Sequence, residues 1–403
     1  MIQRSTSSLV GPISLADAVW PRPHRPGGFG RCRATARRHN IVGRRQYDRS
    51  VVSPNADLTA SFRSHDNYLC AFGTLAGFPY WPGKGQQILE NIANDVMAAF
   101  PNSGGLRQFD ADELAGCLNR AWGTELLLAM STRFAGEDEM MRISNSWGCV
   151  QLYYVGYSSV QALVVASGQP RPASHPKTQD QAITFWSNRQ SGVAPFSFAA
   201  KAGAVSNRDP QAYLHGPGRD IDVSLHGWSA CDSTNCWDIA ALALRTTRQD
   251  AVNAKLAEAR GRKVKQKRKE WQTAENARLA KGKPPKTMPN FKTAQLSAAE
   301  KAACEQGVRA YGWLDYLYRL RIKANYEEAR MFTEGPDDEH TSAIVARNMI
   351  RFATAVMIAH EVRIARTIGK TAFLNLAHAW AATNSPPDKM GIGLRLPILD
   401  KVL

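Results

Sequence analysis

The chain has no run of 18 uncharged apolar residues. Its best candidate, Phe352 to Ile358, is soon interrupted by His360, Glu361 and Arg363. A helix crossing a bilayer needs about 20 such residues, so no membrane span is expected. Cysteine is scarce: seven residues, an odd number at irregular spacings, which excludes a disulfide framework and fits reduced thiols in a cytoplasmic compartment. No Gly-x-Ser-x-Gly elbow is present, and no cysteine has plausible catalytic partners beside it. The Pro82-Gly83-Lys84-Gly85 passage lacks the Gly-Lys-Ser/Thr ending of a phosphate loop and reads as a turn. His226, Cys231 and Cys236, with His215 upstream, come nearest to a zinc ligand set; neither a metal nor a cofactor is expected.

What the chain does have is positive charge, unevenly placed. The net charge is +16 over 403 residues. Residues 1–50 hold ten Arg, no Lys and two acids, and residues 244–286 hold 14 Lys or Arg against four acids. These balances of +8 and +10 leave the remaining 310 residues close to neutral. Basic segments attract polyanions, nucleic acid above all, or an acidic protein partner. Residues 1–60 read as a disordered basic extension: they are Arg-rich like a transit peptide, but Pro21, Pro23, Pro26 and the neighbouring glycines would break its amphipathic helix.

The remainder predicts an all-α fold, a helical bundle with a long irregular and basic-helix insertion. The first half of the bundle spans 61–190. Ile88, Ile92, Val96 and Ala99 repeat at helical spacing over 86–100, and Asp110 opens a second helix reaching Phe134. Residues 139–167 are apolar on every side of the axis, as in a helix buried mid-domain, and Gly168 and Pro170 end it. A short helix is expected over 180–189. The insertion, 191–296, opens with a stretch to 236 that has no clear period; a long helix over 237–281 then carries a dense cationic run expected to project into water. The second half of the bundle spans 297–383. It begins with one continuous helix to Phe332, broken by Gly335-Pro336, and two further helices reach Ile368 and Thr383. Residues 384–403 read as a loose tail.

Two distant stretches carry the functional signal. Trp147 to Gly168, WGCVQLYYVGYSSVQALVVASG, precedes the Ser174-His175 pair, and Tyr316 to Phe332 reads YLYRLRIKANYEEARMF. The run Ala162-Leu163-x4-Gly168 before Ser-His, with the later Leu317-Tyr318-x-Leu320-Arg321-x-x-Ala324-x-Tyr326, resembles the helical HEPN family. The resemblance covers about residues 140–190 and 297–370. It implies a helical bundle acting on or binding RNA or nucleotides in a bacterial toxin or defence setting, commonly as a homodimer. A non-enzymatic adaptor whose basic helix grips an acidic protein is the alternative.

Catalytic HEPN members resemble one another in an Arg followed by four to six residues and then His. The chemistry is metal-free RNA cleavage, with His exchanging a proton and Arg steadying phosphate charge. That spacing occurs three times, at Arg33–His39, Arg208–His215 and Arg219–His226, and about two matches are expected by chance. The latter two lie in a repeat, Arg-Asp-x4-Leu-His-Gly. At the family's usual position, Arg347-Asn348 is followed by Phe352, Ala353 and Thr354 with no His, which favours binding over cleavage. A second candidate set is Arg321 and Asn325 with His360, although His360 suits a satisfied core position and Arg321 an ion pair, with Glu328 as one partner. Arg260, Arg262, Lys263, Lys265, Lys267, Arg268 and Lys269 are the candidate nucleic-acid contacts.

Overall fold

The computed structural model describes residues 54–78, 85–101, 108–134, 137–187, 192–201, 229–336 and 339–403. The described fold is all-α, as expected. Twelve α-helices occur among the described residues, with one two-stranded antiparallel pair. In chain order they are α1 (Pro54–Leu75), α2 (Gly85–Ala99), α3 (Ala111–Met130), α4 (Asp138–Ala166), α5 (His175–Ala182), α6 (Cys236–Leu279), α7 (Ala298–Gln306), α8 (Trp313–Ile322), α9 (Met331–Glu334), α10 (Glu339–Ile368), α11 (Lys370–Asn384) and α12 (Gly391–Val402). The strands are β1 (Ala199–Ala200) and β2 (Tyr311–Gly312), in register Ala199 to Gly312.

Local chemistry sets the helix ends. The Asp110 carboxylate accepts from the Glu113 amide at 3.0 Å, capping α3. Ser297 and Glu300 close a capping box on α7. At Gly168 the backbone turns to φ +77°, and at Gly369 to φ +96°, a region that favours glycine, so α4 ends at the first and α10 is separated from α11 at the second.

The apolar surface of α4 is covered by α10, α3 and α8. Gly156 admits α8 closely, since a Cβ there would lie 2.7 Å from the Trp313 ring, and Gly148 leaves room for the end of the Met349 side chain of α10. Cys149 Sγ sits 3.8 Å from Met349 Sδ, and Ser159 Oγ sits 3.1 Å from Met357 Sδ. Small residues thus let bulky partners reach the helix surface. Two helices, Asp138–Ala166 and His340–Ile368, are long and apolar enough to cross a membrane, but 78% and 72% of their apolar windows are buried within the protein.

Several sequence boundaries move. The body begins earlier than residue 61, because α1 starts at Pro54 and buries Phe62, Leu69 and Phe72. The helix expected over 180–189 begins at His175 and continues as a π-helical turn over Ile183–Ser187. The helix expected over 297–332 is broken: α7 stops before Gly307, β2 pairs with β1, and α8 restarts where Asp315 accepts from the Gly312 amide at 2.8 Å. A π-helical turn over Lys323–Glu327 then separates α8 from α9. The cationic run of α6 does not project freely, because Lys263 pairs with Glu300 at 2.6 Å and Arg260 donates to the Lys292 carbonyl at 2.9 Å. The chain after α6 folds back along it.

The largest correction concerns the tail. Residues 391–402 form α12, and its Arg395 is fully buried. Arg395 holds Glu361 of α10 through Nε at 2.7 Å and Nη2 at 2.8 Å, and pairs with Glu125 of α3. Trp122 adds a hydrogen bond to Glu361 at 2.7 Å. Two buried carboxylates face one guanidinium, and Glu125 Oε2 has no hydrogen-bond partner. Burial raises the Glu125 pKa, against the pull of Arg395. No sequence period reports an interaction of this kind, since the three charges lie on separate helices. Replacing Arg395 by Ala should cost about 3–5 kcal/mol, because Glu125 and Glu361 would lose their counter-charge in the interior. A urea midpoint at pH 7 within about 1 kcal/mol of the parent protein, on the ordinary scale of a surface substitution, would show that the cluster is not desolvated.

Candidate functional site

The two stretches singled out in the sequence converge. Tyr153, Tyr154 and Tyr157 project from α4, His175 opens α5, and Tyr318 and Arg321 project from α8. The His175 ring lies 4.8 Å from Tyr157, 5.5 Å from Tyr153 and 5.6 Å from Tyr318, centroid to centroid. The Arg321 guanidinium lies 5.5 Å from the Tyr153 and Tyr154 rings and 5.6 Å from Tyr318, within cation–π range.

Separate anchors hold these elements. Gln161 of α4 donates to the Pro172 carbonyl at 2.8 Å, fixing the loop before His175. Arg309 bridges α5 to α8: its Nε meets Asp180 at 2.7 Å, its Nη2 meets Gln179 at 3.1 Å, and it also pairs with buried Asp315. His175 is therefore positioned against Tyr318 and Arg321 by a charged clamp that takes no part in the cluster itself.

Tyr153 Oη lies 2.7 Å from His175 Nδ1. Burial pushes the Tyr153 ionisation upward, so the phenol keeps its proton. No other acceptor for that proton is found among the described residues, so Tyr153 donates to Nδ1 and the neutral imidazole carries its hydrogen on Nε2. Desolvation lowers the His175 pKa, and the Arg321 charge lowers it further. At neutral pH His175 therefore presents an N–H donor from a half-exposed ring.

Arg321 has no carboxylate partner among the described residues, and its Nε is buried without a hydrogen bond. The acid expected for it, Glu328, is taken by Lys323 at 3.1 Å and by the Ser61 hydroxyl. Asn325 sits half-buried on the π-helical turn, outside the ring cluster.

The opposite side of α8 shows the contrast. Tyr316, Arg319 and Lys323 lie on that side at helical spacing. With His65, Thr246 and Asp250 they line a recess of 350 Å³. Its cations are neutralised, Arg319 by Asp250 at 3.1 Å and Glu327 at 2.7 Å, and Lys323 by Glu328. Burial, and then Lys323, push His65 down to about 3, so it adds no charge. Among the described residues, only the Arg321 side of α8 offers a cation without an acidic partner.

The other sequence candidates fall elsewhere. Arg208, His215, Arg219 and His226 lie outside the described residues, as do Arg33 and His39. His360 is fully buried in the core and does not join Arg321. It accepts from Trp186 Nε1 at 3.0 Å, which leaves Nδ1 to donate to the Val356 carbonyl at 2.7 Å. On α6, Arg262 pairs with Glu258, and Arg260 and Lys263 are spent on the returning chain, while Lys265, Lys267, Arg268 and Lys269 are exposed and carry no ion pair among the described residues. Sequence reasoning missed His175 and the tyrosines as a site. The available signal was aromatic residues at i, i+1 and i+4 on α4, which place three rings on adjoining faces.

Compared with known protein families, with curated proteins and with solved structures, the chain matches none.

Two titrations check this geometry. The His175 imidazole should titrate below the usual 6.5 by NMR, and Arg321→Gln should move it back upward, because a nearby positive charge is removed; an unmoved titration would place Arg321 elsewhere. His360 is held down to about 3 by burial, so its contribution to stability is complete above pH 6.5 and is lost progressively as the pH falls from there through the folded value. His360→Gln should cost about 1–2 kcal/mol at pH 7.5. By pH 5 the parent alone carries the penalty of a neutral buried imidazole, about 2 kcal/mol, so that cost should vanish or reverse sign. A cost independent of pH in urea titrations would contradict the assignment.

Proposed function

We propose that this protein is a HEPN-like helical protein that binds RNA or nucleotides, in a toxin or defence setting. Bases stack on the half-exposed tyrosines, and phosphate meets Arg321 and the Nε2–H of His175. The observation that carries the reading is Arg321, a cation with no acidic partner among the described residues, set among three tyrosine rings. An uncompensated guanidinium beside flat aromatic faces suits a ligand that is both anionic and planar. The exposed quartet Lys265, Lys267, Arg268 and Lys269 supplies additional, sequence-independent attraction for a longer strand.

Binding without cleavage fits the imidazole. A neutral His175 whose Nδ1 is occupied by Tyr153 donates at Nε2 and has no free lone pair with which to take a proton from a ribose hydroxyl.

The test is fluorescence anisotropy with a labelled single-stranded oligoribonucleotide across a salt series. Arg321→Ala and Tyr154→Ala should each weaken binding by roughly 5–150-fold, the range for removing one stacked base or one charge. Changing the α6 quartet to Ala should lower the slope of log affinity against log salt by about 0.7 for each phosphate that is no longer neutralised. The RNA should remain intact after incubation. Affinity unchanged in all three variants, or no binding by the parent protein at low salt, would overturn the reading.

A further inference from the structure

Two cysteines stand together where α1 meets the turn that leads into α6. Cys70 lies on α1, and Cys231 lies in that turn, ahead of Cys236. Tyr68 of α1 hydrogen-bonds Thr246 of α6, so the two helices run side by side here. The Cys70 and Cys231 thiols share a hydrogen bond, and no disulfide joins them. Cys70 is 7% exposed and Cys231 9%, so both sulfurs sit at the edge of the core. The turn is held by its own bonds. The Asp232 carboxylate accepts from the amides of Thr234 at 2.7 Å and Asn235 at 3.1 Å, and the Asn235 side chain donates to the Ala230 carbonyl at 2.8 Å. These contacts flank Cys231 and present it to α1 on backbone that is not helical. Closing a disulfide brings two sulfurs to about 2 Å, and a turn can make that short move more easily than a helix locked in the core.

The pair is chemically unequal. The hydrogen bond from Cys231 favours the Cys70 thiolate, as do the Thr74 hydroxyl at 4.0 Å and the Arg351 charge. The Cys70 ionisation is therefore lowered, although burial and Asp66 oppose it. The same bond, and then burial, push the Cys231 thiol up, so it keeps its proton. An anionic sulfur beside a protonated partner is the arrangement of a reactive thiol and the thiol that resolves it. Other buried thiols contrast with Cys70: burial pushes Cys117 up to about 11, and it raises Cys149 further. Seven cysteines at irregular spacings make no disulfide framework, but one adjacent pair needs none.

We infer that Cys70 and Cys231 form a site of oxidative modification, a thiol pair that hydrogen peroxide converts to a disulfide. In the first step the Cys70 thiolate attacks one peroxide oxygen. An S–O bond forms, the O–O bond breaks, and the departing hydroxide takes up the proton that Cys70 had lost, giving water and a sulfenic acid on Cys70. In the second step the Cys231 sulfur attacks the Cys70 sulfur. The S–S bond forms as the S–O bond breaks, and the hydroxide leaves with the Cys231 proton as a second water. Two thiols are oxidised by two electrons and one peroxide is reduced to two waters. Peroxide is small enough to reach sulfurs this little exposed. The product ties α1 to the turn before α6. The inference does not rest on the nucleotide-binding reading.

The experiment is peroxide treatment of the full reduced chain under native conditions, followed by alkylation, digestion without reductant and mass spectrometry. The chain should lose about 2 Da, the two thiol hydrogens, and the peptides holding Cys70 and Cys231 should appear joined until dithiothreitol separates them. The urea midpoint of the oxidised parent should move to higher urea and return on reduction, because the bond restricts the unfolded chain. Cys231→Ser should form no internal bond and should accumulate a dimedone-reactive sulfenic acid on Cys70, while Cys70→Ser should form neither. The joined peptides are read in the unsubstituted protein, so the test does not depend on either variant folding. The proposal is overturned if peroxide joins Cys231 to Cys236 instead. It is also overturned if Cys70 and Cys231 stay alkylatable while Cys304 is oxidised, or if the pair joins only in urea.

Discussion

The close approach of α10, α3 and α8 to the single helix α4 is the constraint on which the molecule depends. That helix is 29 residues long and buries residues on every side, so it cannot be stable at a surface. Gly148 and Gly156 leave no side chain where Met349 and Trp313 arrive, and a methyl group at Gly156 would collide with the Trp313 ring. Because α4 is clasped in this way, its aromatic residues have fixed directions. Tyr153, Tyr154 and Tyr157 can then serve as a rigid surface against which His175 and Arg321 are placed. The N-terminal half of the same helix carries the exposed apolar residues Met140, Ile143 and Trp147.

Three arginines show how compensation, more than charge itself, separates structure from candidate function. Arg395 is fully buried between Glu125 and Glu361, where it ties the last helix to the bundle. Arg309, partly exposed, joins Asp180 to Asp315 and sets the distance between α5 and α8. Arg321 has rings around it and no acid among the described residues. The first two have their charge answered within the protein, and the third has a charge to offer a ligand. The recess on the other side of α8 makes the same point, since its Arg319 and Lys323 are already matched by three carboxylates.

Much of the helical framework was legible because burial imposes a period. Ile88, Ile92 and Val96 mark α2, Asp110 marks the start of α3, and the continuous apolar surface of 139–167 marks the core helix within one residue at each end. The failures share a cause. The tail reads as loose from the Pro386-Pro387 pair that precedes it, yet Arg395 anchors α12 through charges on α3 and α10. The helix over 297–332 looked continuous because nothing local announces the pairing of Tyr311 and Gly312 with a strand more than a hundred residues earlier. His175 was visible only as half of a Ser-His pair, and its spacing from any arginine gave no hint that Arg321 would come beside it.

Sequence alone determined the helical class, the position of the buried central helix and the segregation of positive charge, since all three follow from residue type and spacing along one chain. Which histidine meets which arginine, which cations remain unanswered and which apolar stripe stays open were decided by tertiary structure. The physical reason is that each of these depends on whether a group on a different helix arrives within a few ångströms. Spacing along the chain fixes the face on which a side chain sits, but not the partner that face will meet.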